Sequence, residues 1–251
     1  MATDDRSAVG TRVSVCMATY RGELYVREQL ESILRQLGPD DEIVVVDDAS
    51  PDGTYAAIAA LTDPRIRLHR LDRNGGYVRA FEEALGRATG RYLFFSDQDD
   101  VWVSGRVDRM IASLDDAPFV AGNYSVLGGD GVPPARMPLG PEFDGRTTRN
   151  LLGIMIGYRP YFGCGMGMTR EVLPLVLPIP RIFFESHDLW TAIVGNTAGG
   201  MRHLGEVVVE RRLHDNNQTP LGWRPIGPIA RARWMLLRGL FIARSRVRKR
   251  R

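Results

Sequence analysis

The sharpest chemistry in the chain lies where an apolar run, Tyr92-Leu93-Phe94-Phe95, leads into Ser96-Asp97-Gln98-Asp99-Asp100. In extended backbone, residues two apart project to the same side, so Asp97 and Asp99 aim at one point. Two carboxylates sharing a point repel unless a cation sits between them. Such hard oxygen donors suit Mg2+ or Mn2+, and one or two suffice when a diphosphate brings further oxygens. By the same alternation Asp100 points the other way, where it would cap a helix beginning near Val101. Two more polar runs follow apolar ones: Ala18-Thr19-Tyr20-Arg21 after residues 13–17, and Asp47-Asp48-Ala49-Ser50-Pro51-Asp52-Gly53-Thr54 after residues 43–46. Asp and Ser commonly cap turns and helices, so any one run has a plain structural explanation. Three runs in the same place relative to a strand are more than capping requires.

The elements that must position these residues alternate. Apolar runs at 13–17, 42–46, 66–68 and 92–96 are separated by helical patterns at 24–36, 54–61 and 77–88. In the first helical pattern Leu24, Leu30, Ile33, Leu34 and Leu37 fall near one face. This order predicts an α/β fold, a mostly parallel twisted sheet with helices on both faces. Ligands in such folds lie beyond the C-terminal ends of strands, where the three polar runs fall. After about residue 115 the alternation decays. A strand at 119–126, a Gly/Pro-rich loop at 128–145, helices near 147–154 and 187–196 and a strand near 206–211 make a smaller, irregular region.

A chain of 251 residues with 44% hydrophobic content closes a core without disulfides or structural metal. Cys16 and Cys164 lack CxxC partners, so two buried free thiols and a reducing compartment are expected. Residues 1–10 lack the basic-then-apolar pattern of a secretory leader, and no apolar run approaches the about 18 residues of a membrane span. The expected location is cytoplasmic. The net charge of +3 hides an asymmetry, because residues 231–251 carry nine basic side chains and no acidic one. The rest of the chain is therefore net acidic, which argues against a general nucleic-acid binder.

The stretches MATYRGELYVREQLESILRQ, EIVVVDDASPDGT, RNGGYVRAFEEALGRATGRYLFFSDQDDVW, GCGMGM, ESHDLW and ERRLHDNN occur in the order found in family 2 glycosyltransferases. The chain resembles that family, and its bacterial rhamnosyltransferase-like branch, over about residues 13–217. The resemblance implies a GT-A fold, a nucleotide-sugar donor, a divalent metal (Mn2+ or Mg2+) and inversion at the anomeric carbon. It divides the chain into a nucleotide-sugar-binding α/β half at 11–118, an acceptor-binding and catalytic-base half at 119–222, and a basic tail at 223–251. Tyr20 is then expected to stack on the base, with Thr19 lining the same pocket. Asp48 would accept a hydrogen bond from the base imide, which favours uracil or thymine. Arg79 would sit near the diphosphate, Asp97 near ribose and metal, and Asp99 on the metal. His214 would complete the metal or diphosphate site, although Asp215 stands where the family pattern often has Gly. Asp188 matches the general base that takes the acceptor hydroxyl's proton, with Glu185 as fallback.

The expected donors are dTDP-rhamnose or a UDP-sugar; the acceptor is a saccharide, a lipid-linked saccharide or a small molecule. The chain lacks the QxxRW motif and membrane spans of processive polysaccharide synthases, so one or few sugars per acceptor are expected. A sugar-nucleotide-binding protein without catalysis is the alternative. Two readings of the tail stand side by side. Either its basic residues hold the chain peripherally at the inner face of a membrane, or residues 234–242 pack on protein and the terminal arginines are disordered.

Overall fold

A computed structural model describes residues 11–131, 138–159, 161–213 and 226–250. Its first half alternates β1 (Val13–Thr19), α1 (Val26–Leu34), β2 (Glu42–Asp47), α2 (Thr54–Ala59), β3 (Ile66–Arg70), α3 (Tyr77–Arg87) and β4 (Tyr92–Ser96). Then follow β5 (Val101–Trp102), α4 (Arg106–Asp116), β6 (Phe119–Val126), α5 (Thr147–Ile156), β7 (Met166–Thr169), α6 (Leu173–Val176), α7 (His187–Ala198), β8 (Met201–Arg211) and α8 (Ile226–Arg250).

The strands form one sheet in the order β3-β2-β1-β4-β7-β6-β8-β5. β1 to β4 are parallel, β7 runs against both β4 and β6, β8 is parallel to β6, and β5 opposes β8. The mostly parallel sheet is thus as expected, with β5 and β7 the strands that point the other way. Both faces are covered, which is why β1 and β2 are buried along their whole length. Alternate residues serve opposite layers. Cys16, Val44, Val46, Leu93 and Phe95 pack with Phe81, Leu85 and Trp190. Val15, Met17, Val45 and Phe94 pack with Leu30, Ile33, Val107 and Met110. Both cysteines are free and buried.

Register brings the polar runs together. Thr19 lies opposite Asp47, and Met17 opposite Ser96, so β1, β2 and β4 end side by side. β8 points the same way and delivers Arg211 to that edge.

Three local expectations need correction. Leu24 is 84% exposed, because residues 22–25 form a turn, with the Tyr25 and Val26 N–H groups donating to the Gly22 carbonyl, before α1 starts at Val26. No helix begins at Val101: Val101 and Trp102 pair with Glu210 and Val209 as β5, and α4 starts at Arg106 after Gly105, whose φ of 74° suits glycine. Arg244 to Arg250, expected to be disordered, are helical, since α8 extends to Arg250. Its inward face packs on the body through Leu236, Ala243 and Val247. Gly239 is part of that contact, because a Cβ there would lie 2.4 Å from Phe183 Cζ.

Candidate active site

At the β1–β2 end, Asp47 is fully buried and organises the loop that follows it. Its carboxylate accepts the Ser50 N–H (3.0 Å), the Ser50 hydroxyl (2.5 Å) and the Thr19 hydroxyl (3.2 Å). Thr19 is therefore committed to Asp47 through its side chain and is itself buried. The Asp48 N–H donates to the Thr19 carbonyl, while the Asp48 carboxylate takes the N–H groups of Gly75 (2.7 Å) and Gly76 (2.8 Å). Burial raises the Asp48 pKa and those two hydrogen bonds oppose the rise. Each oxygen keeps a second acceptor position. The two bonds fix the turn into α3, where Gly76 adopts a φ of 87°. Arg79 follows on the first turn of α3 with a mostly exposed side chain. Tyr20 is half exposed at the rim, between Arg21 and the sheet edge. Arg21 and Ala49 both hold left-handed φ values, 54° and 57°, which are uncommon for residues with a Cβ and concentrate at functional loops.

Asp48→Ala leaves the Gly75 and Gly76 N–H groups without their acceptor. Gly75 is exposed and Gly76 half-buried, so water offsets part of the loss and the cost falls below the about 1–3 kcal/mol of a fully buried orphan donor. The expected outcome is a lowered urea midpoint and UDP binding weakened at least about tenfold, measured by calorimetry.

At the β4 end the chain does not stay extended. It bends at Gln98 and Asp99, so the two-residue alternation fails there. Asp100 swings to the side of Asp97, and these two carboxylates lie with the Cys164 sulfur in a group whose atoms are within 4.8 Å of one another. This corrects the expectation that Asp100 points away. Asp97 is pushed up to about 8 by burial and by the charges of Asp100 and Asp99. Asp100 is pushed up to about 6 by burial and by Asp99. Asp100 Oδ1 accepts the Arg212 N–H (3.3 Å), and Oδ2 is buried without a hydrogen-bond partner among the described residues. Asp99 is half-buried, and its carbonyl accepts Arg212 Nε (3.2 Å). An orphaned carboxylate oxygen beside a second carboxylate fits a hard divalent cation. The buried Cys164 thiol, held well above its ordinary pKa by burial and by Asp100 and Asp97, is a poor ligand for one.

Residues to which the sequence assigned no role hold this loop. Gln29 of α1 donates to the Ser96 hydroxyl (2.7 Å) and the Asp97 carbonyl (3.1 Å). The Gln98 amide clasps both backbone groups of Tyr20, accepting its N–H (2.8 Å) and donating to its carbonyl (2.9 Å). The β1 and β4 loops are therefore tied to each other. Behind the acids sit two guanidinium groups. Arg106 is fully buried over the Trp102 ring (3.9 Å) and donates to the Phe95 carbonyl (3.2 Å). Arg211 lies over the rings of Tyr124 (4.9 Å) and Phe162 (5.0 Å), which meet each other edge-on (4.7 Å). Burial disfavours the Arg211 charge, yet Cys164, Asp100 and Asp97 together hold its pKa above the ordinary value.

Asp188 occupies the first turn of α7, half-buried, with Oδ1 accepting the Leu189 N–H (2.7 Å). Burial pushes its pKa up to about 6. Its charge in turn raises Asp97, so the two carboxylates are within electrostatic reach of each other. Tyr77 is within the same reach: burial raises its hydroxyl, followed by the charges of Asp188, Asp97 and Glu185. Preceding Asp188, His187 is packed among aromatic rings, with neither ring nitrogen hydrogen-bonded among the described residues. It stacks on Phe81 (4.1 Å) and meets Tyr77 edge-on (5.7 Å), and burial lowers its pKa to about 3. The expected ligand His214 lies outside the described residues.

A sheet whose parallel strands end in polar loops, extended past β4 by an antiparallel strand, defines an α/β fold of the GT-A class. Crystal structures of S. aureus TarS 1–349 share it. The complex with UDP-GlcNAc matches with a TM-score of 0.70 at 19% identity, covering 91% of this chain and 66% of that one. The UDP complex matches at 0.64 and 20%, covering 81% and 61%. The chain thus spans less than two thirds of those TarS chains. The glycosyl transferase family 2 model matches residues 14–174, and the chain belongs to that family; it is a glycosyltransferase. It is 26% identical over 211 residues to the Escherichia coli UDP-Glc:alpha-D-GlcNAc-diphosphoundecaprenol beta-1,3-glucosyltransferase WfgD, covering 82% of this chain and 78% of that protein. It is 28% identical over 237 residues to the Bacillus subtilis putative teichuronic acid biosynthesis glycosyltransferase TuaG, covering 90% and 87%.

Proposed function

We propose that the chain transfers a hexose from a UDP-sugar to a hydroxyl of a lipid-linked saccharide, with inversion at the anomeric carbon. The observation that carries this reading is a half-buried carboxylate, Asp188, raised to about 6 and within electrostatic reach of Asp97 in the cluster at the strand ends. In the proposed step the acceptor oxygen attacks the anomeric carbon, the bond from that carbon to the diphosphate breaks, and the acceptor's proton passes to Asp188. Residues 11–118 hold the donor and residues 119–222 the acceptor. Tyr20 offers its ring to the base beside Thr19, and Asp48 offers its remaining acceptor positions to the base imide. Arg79 reaches toward the diphosphate from α3. Asp97, Asp99 and Asp100 would hold Mn2+ or Mg2+, with His214 as a further donor. When bound, the ion neutralises charge on the departing diphosphate. WfgD is named for a UDP-Glc donor and a diphosphoundecaprenol-linked acceptor, which favours UDP-sugars over dTDP-rhamnose and a lipid-linked over a free acceptor.

The test is release of nucleoside diphosphate from UDP-Glc, UDP-GlcNAc and dTDP-rhamnose, each with and without Mn2+ and a polyprenyl-diphosphate-linked saccharide. UDP release from a UDP-hexose that rises with ion and acceptor is the expected result. Release from dTDP-rhamnose alone would move the donor assignment. Tight UDP binding with no turnover of any donor would make the chain a sugar-nucleotide-binding protein.

A further inference from the structure

We propose that the outward face of α8 docks on an anionic lipid bilayer, inserting Trp234, Leu237 and Phe241 between lipid headgroups. The helix has two faces with different tasks. Leu236, Gly239, Ala243 and Val247 recur at helical spacing and are buried against the body. The opposite face leaves Trp234 52%, Leu237 48% and Phe241 69% exposed. These positions also recur at helical spacing, so they share one stripe. Around the stripe stand Arg231, Arg238, Arg244, Arg248 and Lys249, all exposed. Arg238 lies over the Trp234 ring (4.9 Å). Beside Phe241 a shallow depression of about 500 Å³ is lined by Arg244, Ser245, Arg248 and Lys249.

Large apolar tips flanked by cations are what an interfacial helix presents to a membrane surface. No acidic residue interrupts residues 231–251, so the occupant that complements this face is negatively charged. No helix among the described residues is long and apolar enough to cross a membrane. Further exposed apolar side chains lie near the start of α8. Arg233 donates to the Ile156 carbonyl (2.8 Å) at the end of α5, where Ile156 and Tyr158 are themselves exposed.

The placement also suits the site. Arg246 is anchored by the carbonyls of Leu175 (2.9 Å), Val176 (3.0 Å) and Pro178 (2.7 Å) and lies over Trp190 (5.1 Å). A Cβ on Gly239 would lie 3.6 Å from Ile193 Cδ1. Residue 246 thus meets residue 190 and residue 239 meets residue 193, so α7 and α8 run antiparallel. The Phe241–Lys249 half of α8 is at the same end as Asp188. A bilayer under that half brings a lipid-linked acceptor near the catalytic base. This last step rests on the lipid-linked reading of the acceptor, whereas the docking itself does not.

The experiment is cosedimentation of the full chain with vesicles of phosphatidylcholine and phosphatidylglycerol in equal parts, against phosphatidylcholine alone. Binding to the mixed vesicles, weakened by added salt, is expected. Trp234→Ser with Phe241→Ser, and separately Arg244→Glu with Arg248→Glu, should each reduce the bound fraction about tenfold or more. Both pairs are exposed, so thermal unfolding and UDP release from a UDP-sugar with a soluble acceptor should match the parent. Equal vesicle binding by parent and variants overturns the proposal. So does a parent that sediments as a dimer and becomes monomeric on the Trp234→Ser, Phe241→Ser change, because the face would then belong to a second copy. Activity readouts are separate, so a failure of donor chemistry leaves the vesicle result intact.

Discussion

Asp188→Asn should lower turnover about 10²–10⁴-fold while leaving UDP affinity within about twofold, because a general base acts on the acceptor and not on the donor. Two features of its setting sharpen the expectation. Burial raises the Asp188 pKa from the usual carboxylate range to about 6, so the group is a stronger base than an exposed aspartate and still ionised at neutral pH. A base works deprotonated; turnover should therefore fall as pH drops through about 6, well above where an unshifted carboxylate would titrate. The sign for stability runs the other way. The folded state holds the Asp188 proton more tightly than the unfolded chain, so this carboxylate's contribution is most favourable below the unfolded pKa and declines as pH rises through the folded one. Asn carries no such penalty. The variant should be as stable as the parent or more so above pH 6 by thermal unfolding, which separates lost chemistry from lost fold. A variant within a few-fold of parental turnover, with Glu185→Gln inactive, would transfer the role to Glu185.

The donor edge is legible in the sequence because parallel strands announce themselves as apolar runs and their C-terminal ends as polar ones. Register then aligns Thr19 with Asp47 and Met17 with Ser96, and alternation alone brings those loops together. What alternation cannot give is the direction of side chains once a strand has ended. The bend at Gln98 and Asp99 turns Asp100 back beside Asp97, and its cause is distant: Gln29 from α1 and the backbone of Tyr20 hold that loop. β5 was equally hidden, since two residues pair with β8 more than a hundred positions later. Arg211 sits inside the ERRLHDNN stretch, yet nothing there assigns it a role, and its place beside the acids follows only from β8 running parallel to β6. His187 illustrates the converse. Next to a candidate base it looks chemical, yet its ring is stacked on Phe81 of α3 and tilted against Phe95 of β4. The tail shows a third limit. Apolar residues spread round a helix read as ambiguous until the body claims one face and leaves the other to solvent.

Removing divalent metal should abolish turnover, by about 10²-fold or more, and added Mn2+ or Mg2+ should restore it. The physical ground is the charge balance of the β4 loop. Asp97, Asp99 and Asp100 crowd one end of a strand, burial and mutual repulsion raise Asp97 to about 8 and Asp100 to about 6, and Asp100 Oδ2 is buried without a hydrogen-bond partner among the described residues. A bound ion satisfies that oxygen and offsets the repulsion, so Mn2+ should raise the Tm of the parent even without donor. Asp97→Ala should remove both the Tm increment and metal-dependent UDP binding, and Asp99→Ala should weaken the latter. Asp100→Asn should raise the Tm of metal-free protein by relieving like-charge repulsion and shrink the increment due to Mn2+. Cys164→Ser should change little, because a neutral buried thiol donates weakly to hard ions. The competing outcome is definite. Arg106 and Arg211 already place two guanidinium groups beside these acids. If protein shown to be metal-free by elemental analysis keeps full turnover, and Arg211→Met loses it, those guanidinium groups carry the neutralising charge and the ion does not.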